Sequence, residues 1–216
     1  MSIDAMRREF DHGAFDEKDA HPDPFDQFKR WFDDAIAANK GEWFEPNAMT
    51  LATVDQCGSA DARIVLLKSF DHHGFVFYTN YGSDKGAQLE DHPNAAMVFY
   101  WPVLERQVRI RGTVSKTSAE LSDAYFTSRP RGSKLGALAS DQSQLIAGRD
   151  VLEKKLAELE KQYTTNDVPR PKDWGGYRLV PRVIEFWQGR ANRLHDRLRY
   201  TLENGTNQWT IERLSP

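Results

Sequence analysis

Near the end of the chain, Arg193-Leu194-His195-Asp196-Arg197 sets two permanent cations and a titratable imidazole at alternate positions. On an extended backbone alternate side chains share a face, so the spacing predicts that Arg193, His195 and Arg197 point one way and Leu194 and Asp196 the other. Such a face suits an anionic or electron-rich ligand, for example a phosphorylated ring, with an imidazole able to carry a proton near neutral pH. The same residues would also make a solvated edge strand. Two further stretches favour the ligand. Arg63-Ile64-Val65-Leu66-Leu67-Lys68 is an apolar run bracketed by cations. Arg63 and Lys68 stand an odd number of positions apart, so a regular strand puts them on opposite faces, serving different anionic groups unless a bulge intervenes. In Tyr125-Phe126-Thr127-Ser128-Arg129-Pro130-Arg131-Gly132-Ser133-Lys134, three cations and several hydroxyls gather where a helix is about to begin. Helix N-termini and Arg forks both favour phosphate oxygens.

Other chemistries are poorly represented. HExxH, GxSxG and CxxC patterns do not occur, and Gly82-Ser83-Asp84-Lys85-Gly86 is neither a Walker A loop nor a GxGxxG turn. With no strong nucleophile on offer, difficult chemistry is assigned to a bound cofactor, the protein supplying position and charge. A single cysteine, Cys57, excludes an intramolecular disulfide and a multi-cysteine zinc site, and His72-His73 have no third ligand spaced to join them. The formal charge of -3 gives no field for nucleic acid, so anion binding must come from local clusters. The longest apolar run, Ala95 to Trp101, falls well short of the roughly 18 residues a membrane-spanning helix needs. MSIDAMRREF has no apolar core of a leader, so a cytoplasmic location is expected.

These residues need elements to position them. Residues 1–21 are polar and charge-rich and are expected to form a flexible arm, from which Arg7 and Arg8 could fold over a ligand. Residues 22–216 are read as one domain. Asp23-Pro24 predicts a cap and first turn, and Phe25, Phe28, Trp31, Phe32, Ala35 and Ile36 follow at helical steps. From Ala48 the period becomes two. Strands Ala48 to Asp55, Ala60 to Phe70 and Phe75 to Asn80 are predicted as an antiparallel meander turning at residues 56–59 and 71–74. A short helix within 82–91 precedes an antiparallel pair, Ala95 to Trp101 and Arg106 to Lys116. Then come a helix over Ala119 to Ser128, a basic loop to Ser133, a short helix to Ser140, and a longer helix over Arg149 to Tyr163 with a Leu152, Leu156, Leu159 and Tyr163 stripe. Strands Tyr177 to Pro181, Arg182 to Gln188, Leu198 to Glu203 and Gln208 to Arg213 finish the chain. Many antiparallel strands with inserted helices predict an α+β protein on a closed barrel, since closure removes exposed edges.

RIVLLK at 63–68, FYTN at 77–80, ERQVRIRG at 105–112, YFTSRPRGSKLGA at 125–137, DQS at 141–143, WGGYR at 174–178 and EFWQGRANRLHDR at 185–197 stand in one order that resembles the pyridoxine (pyridoxamine) 5'-phosphate oxidase family. The resemblance covers the chain from about Met6 onward. It implies an FMN-binding antiparallel split β-barrel with peripheral helices, and a homodimer with FMN sites at the subunit interface. By that likeness Arg63, Ile64, Val65, Leu66, Leu67, Lys68, Tyr78, Thr79, Lys85, Gln107, Gln142, Ser143, Trp187 and Arg197 are flavin-contacting positions. Lys68, Tyr125, Arg129 and Ser133 would cradle a substrate phosphate, with Arg7 reaching in from the arm. Arg193, Leu194 and His195 would lie against the pyridine ring, Arg193 and His195 as catalytic residues. The implied reaction takes pyridoxine 5'-phosphate or pyridoxamine 5'-phosphate to pyridoxal 5'-phosphate, with O2 as acceptor giving hydrogen peroxide, and ammonia from the amine; no nucleic-acid or membrane partner is implied. Asp84 stands where many members have Arg, and Phe10 where some have Tyr. A related flavin oxidase acting on phenazine precursors and a non-catalytic flavin or pyridoxal phosphate carrier are the competing readings.

Overall fold

In the computed structural model, which describes residues 2–6, 8–41 and 44–216, the first helix α1 spans Pro24–Ala38. It starts where the sequence places it: the Asp23 carboxylate accepts the N–H of Phe25 at 2.7 Å and of Asp26 at 3.3 Å. A capping carboxylate satisfies N–H groups that the helix itself leaves free. Phe25, Phe28, Trp31 and Ala35 are buried, whereas Ile36, expected on the same stripe, is 52% exposed. Phe28 is fully buried, its ring centroid 4.9 Å from that of Phe70, 5.0 Å from Phe75 and 5.1 Å from Phe99. Truncating so buried a ring costs about 3–5 kcal/mol, so α1 belongs to the core and is no ornament on it.

Among the described residues nine strands make one antiparallel sheet. They are β1 (Ala48–Val54), β2 (Ala60–Leu66), β3 (Ser69–Asp71), β4 (Gly74–Asn80), β5 (Asn94–Trp101), β6 (Arg106–Lys116), β7 (Trp174–Gln188), β8 (Asp196–Leu202) and β9 (Trp209–Arg213). The order β2-β1-β5-β6-β7-β4-β3 puts at its two edges strands that are consecutive in sequence. The chain crosses from one edge to the other at Leu67-Lys68: Leu67 N–H donates to Asn47 O beside β1, and Lys68 N–H to Val76 O of β4. The sheet thereby curls on itself as a split barrel, the α+β architecture expected. The predicted meander is corrected here, because β2 and β4 share no ladder and the run from Ala60 to Phe70 breaks after Leu66.

The barrel splits along β7. Its first half, to Leu179, pairs with β4, and its second half, from Val183, pairs with β8, while β6 runs along both. Two strands were predicted here; the structure has one, bulged where they would have met. Pro181 has no N–H to give a ladder, and the register slips opposite Arg111 and Gly112. A Cβ on Gly112 would lie 2.0 Å from the Val180 carbonyl oxygen. Gly112→Ala is therefore expected to destabilise the fold by about 1–3 kcal/mol through overpacking. Thermal unfolding checks this, and an unchanged Tm would show that the bulge opens freely.

Helices α2 (Asp84–Asp91), α3 (Ala119–Ser128), α4 (Arg131–Ala139) and α5 (Arg149–Gln162) lie around the sheet. α4 begins at Arg131, so part of the predicted basic loop is already helix. The α5 stripe of Leu152, Leu156, Leu159 and Tyr163 is only half-buried. Among the described residues no helix is long and apolar enough to cross a membrane.

Candidate active site

Between β2, β4, α2, α3 and α4 lies a cavity of about 1030 Å³. β2 presents Arg63, Ile64, Val65 and Leu66 to it, and Lys68 follows on the same wall. The strand breaks at Leu67, so the alternation that would have put Arg63 and Lys68 on opposite faces does not hold. Leu67 turns into the core instead and is 4% exposed.

At one end Lys85, in the first turn of α2, is buried. Its Nζ donates to Gln142 Oε1 at 3.0 Å, Ser83 Oγ at 3.1 Å and Thr79 Oγ1 at 3.3 Å. All three acceptors are neutral. Burial, and then the neighbouring Arg63, push the Lys85 ammonium pKa down. Both causes disfavour the cation in this site, and both would be answered by an anion placed there. Ser143, in a left-handed conformation (φ 73°), takes the Asp84 N–H on its Oγ at 3.2 Å. Arg63 is held by Gln88 Oε1 at 3.0 Å, by Thr53 and by an ion pair to Asp61.

At the other end Tyr78 stacks on Tyr125 with ring centroids 3.9 Å apart, and on Trp174 at 5.6 Å. The Arg129 guanidinium lies 4.7 Å over Trp174 and 5.6 Å from Phe126. Its Nη1 is buried and has no hydrogen-bond partner, and burial pushes its pKa down. A buried guanidinium N–H without an acceptor is costly, and a phosphate oxygen would relieve it. Ser133, in the first turn of α4, lines the same wall. The other two cations of this stretch are structural: Arg131 donates to Glu160 O, Tyr163 O and Thr165 O behind α5, and the buried Lys134 to Asn166 O. Trp174 was not singled out in the sequence; its place before Gly175-Gly176 was the available signal.

Gln107, Trp187, Arg193, Leu194, His195 and Arg197 do not line this cavity within one chain. Trp187 pairs with Gln107 on one side and Arg197 on the other. It stands at the far end of β7 from Trp174, roughly 40 Å along the strand at about 3.3 Å per residue. The predicted extended RLHDR face is also corrected. Asn192 and Arg193 are both left-handed (φ 56° and 61°), and β8 starts only at Asp196. Arg193 and His195 are thus carried on a tight turn rather than on alternate strand positions, because the chain must reverse between β7 and β8. Asp196 is buried under Phe15 N–H, Arg190 and Arg213. Burial alone would raise its carboxyl pKa, but these donors outweigh it and hold the group below the usual carboxylate range. Arg197 is paired with Glu185. Among the described residues the Arg193 guanidinium has neither a hydrogen bond nor an ion pair, and the side chain is exposed. Arg7 lies outside the described residues.

Residues 33–163 match a family model described as pyridoxamine 5'-phosphate oxidase, and residues 174–216 one described as the pyridoxine 5'-phosphate oxidase C-terminal dimerisation region. A pyridoxine/pyridoxamine 5'-phosphate oxidase of Gloeothece citriformis is 56% identical over 216 residues, covering 100% of this chain and 99% of that one. The chain belongs to the pyridoxine/pyridoxamine 5'-phosphate oxidase family. A second member of that family, from Paraburkholderia phymatum, is 56% identical, with 98% of this chain and 97% of that one covered. Among solved structures, PhzG from Burkholderia lata in complex with tetrahydrophenazine-1-carboxylic acid has a TM-score of 0.87 and 32% identity, covering 94% of this chain and 98% of that one. A pyridoxamine 5'-phosphate oxidase-related, FMN-binding protein of Nostoc punctiforme shares the fold, with a TM-score of 0.70 at 17% identity and 88% and 97% coverage. The chain is therefore an oxidoreductase of that family. The residues present suit a flavin of this family: Lys85 has only neutral partners, and Arg129 keeps an orphaned N–H for a second anion.

The family turn also sets the protonation of its histidine. His195 Nδ1 accepts the Arg190 N–H at 3.1 Å, which leaves Nε2 to carry the proton of the neutral ring. Burial and then Arg193 push the His195 pKa down, with Asp196 opposing. Because the depressed group binds its proton less readily in the folded protein, His195 favours the folded state above the ordinary histidine pKa, and that contribution is lost as pH falls through the depressed value. A ring titration followed by NMR is expected to have its midpoint below 6.5, and a midpoint at or above 6.5 would contradict the placement.

Proposed function

We propose that the chain acts as a homodimer that oxidises pyridoxine 5'-phosphate and pyridoxamine 5'-phosphate to pyridoxal 5'-phosphate. The observation carrying this reading is a pair of cations without anionic partners at two places in one cavity, the buried Lys85 and the half-buried Arg129, whose Nη1 is buried without an acceptor. One would hold the phosphate of FMN, together with Arg63, Thr79, Gln142 and Ser143. The other, with Lys68, Tyr125 and Ser133, would hold the phosphate of the substrate. Held by these residues, FMN would supply a two-electron acceptor for hydride from the substrate C4', with dioxygen as the final acceptor giving hydrogen peroxide.

The protein's part is to bind, to aim and to place charge. Grip on the phosphate lies away from C4', so its energy can hold the ring in a reactive pose. Arg193 and His195 would come from the partner subunit, since β7 separates them from the cavity of their own chain. The match of residues 174–216 to a dimerisation region supports that arrangement. Arg193 then stabilises charge beside the reacting carbon, and His195 Nε2–H orients the ring and exchanges a proton with it. With the amine substrate, oxidation at C4' gives an imine, which water hydrolyses to the aldehyde of pyridoxal 5'-phosphate and ammonia.

Anaerobic mixing tests the reading. The yellow holoprotein is expected to bleach on meeting pyridoxine 5'-phosphate and to recover with oxygen. Failure to bleach would remove the oxidase reading and leave a carrier. Bleaching by a reduced phenazine carboxylic acid, but not by pyridoxine 5'-phosphate, would move the chain to the chemistry of its structural neighbour.

A further inference from the structure

The connector between β5 and β6 contains a residue that the reaction does not use. Glu105 is 1% exposed and left-handed (φ 54°). Its Oε2 accepts the backbone N–H of Asp11 at 2.9 Å and of His12 at 3.0 Å, and its Oε1 the Arg8 guanidinium at 2.9 Å. The carbonyl of the same residue faces the other way, accepting Gly189 N–H at 2.8 Å and Gln188 Nε2 at 3.3 Å. One residue thus ties residues 8–12 to the exit of β7.

Phe10 is carried between those ties. Its ring lies edge-on to Trp187 at 5.7 Å and to His195 at 5.5 Å. It also covers Gly189 so closely that a Cβ there would sit 2.9 Å from Phe10 Cγ. Nothing in residues 8–12 other than Phe10 gives this contact an apolar anchor, so its placement depends on the tether. We propose that Glu105 is a positioning residue of the active site: its carboxylate holds the arm and its carbonyl holds the turn, so that Phe10 forms the wall against which His195 is oriented. The role in turnover rests on the assignment of His195 to the chemistry; the tether itself does not.

The left-handed backbone allows the two functions of Glu105 to be separated. Glu105→Gly keeps the carbonyl in a conformation that glycine favours and removes the side chain, carboxylate included. Glu105→Gln keeps the shape, but whichever way its amide turns an NH2 group meets a donor, either the Asp11 and His12 N–H groups or the Arg8 guanidinium. Phe10→Ala keeps the tether and removes the wall.

In the holoprotein, tryptic cleavage after Arg8 and Lys18 reports opening of the arm. Losing charge-assisted hydrogen bonds should speed it about tenfold or more in both Glu105 variants, while Phe10→Ala, which keeps the tether, should cleave more slowly than either. The His195 ring, which also faces Trp187, Arg190, Arg193 and Asp196, should titrate higher in all three variants as it gains water. The fall in kcat/KM should be no larger in Glu105→Gly with Phe10→Ala than in the worse single variant, because both act through one wall. Parental cleavage rates in the Glu105 variants, or losses in kcat/KM that multiply, would overturn the proposal. Should Glu105→Gln fail to fold, Glu105→Gly carries the same test. Absence of bleaching in the parent would count against the oxidase reading and leave the cleavage and titration results to decide the tether.

Discussion

Replacing Arg193 by alanine is expected to lower kcat by about 100- to 1000-fold, the usual scale for removing one donor that meets developing charge. Bound flavin and Tm should stay at parental values. The side chain is exposed and has no hydrogen bond or ion pair among the described residues, so its loss strands no partner. The left-handed backbone is equally unfavourable for alanine, so the strain of the turn is unchanged. Lysine should restore little, since a single ammonium cannot reproduce the planar fork. Steady-state kinetics beside the flavin absorbance separate the effects, and kcat/KM equal to that of the parent would remove Arg193 from the mechanism.

Arg129→Ala should act on binding instead. Loss of one or two charge-assisted hydrogen bonds, at about 1.5–3 kcal/mol each, raises KM for pyridoxine 5'-phosphate by roughly 100-fold. Turnover at saturation should change little, because the phosphate contact is the same in ground and transition states. The test lies in the substrate without its phosphate: on pyridoxine the parent and the variant should perform alike. The unliganded variant should lose little stability, since the substitution removes the stacking on Trp174 but also a buried N–H that has no acceptor. A parent that prefers pyridoxine to its phosphate would overturn the assignment of Arg129.

The two variants probe parts of the site that differ in how far sequence reading reached them. Arg129 and Ser133 could be named from the sequence because a cation and hydroxyls next to a helix start suit an anion whatever the tertiary fold, and both line the cavity. In the same stretch Arg131 and Lys134 look identical on paper, yet they hold the backbone behind α5. Which cation faces the cavity depends on where α5 docks, and that is a long-range fact. Arg193 and His195 were singled out by residue type, but the extended geometry expected of them does not hold. Alternation along a strand is a local rule, and it fails where the chain has to reverse between β7 and β8.

Local chemistry is written in the sequence: the cap at Asp23, the two-residue period of most strands, the apolar helical stripe of α1, and the residues able to hold phosphate. These depend on neighbours a few positions away, so a single chain read in order contains them. Tertiary structure decided what depends on distant partners. It merged two predicted strands into β7, broke β2 at Leu67 so that Arg63 and Lys68 share a wall, and made Glu105 a tie between the arm and the turn. It also placed the Arg129 end of the cavity and the RLHDR turn at opposite ends of one strand. Only closure of the sheet sets those separations, because register and curvature are properties of paired strands and not of any strand alone.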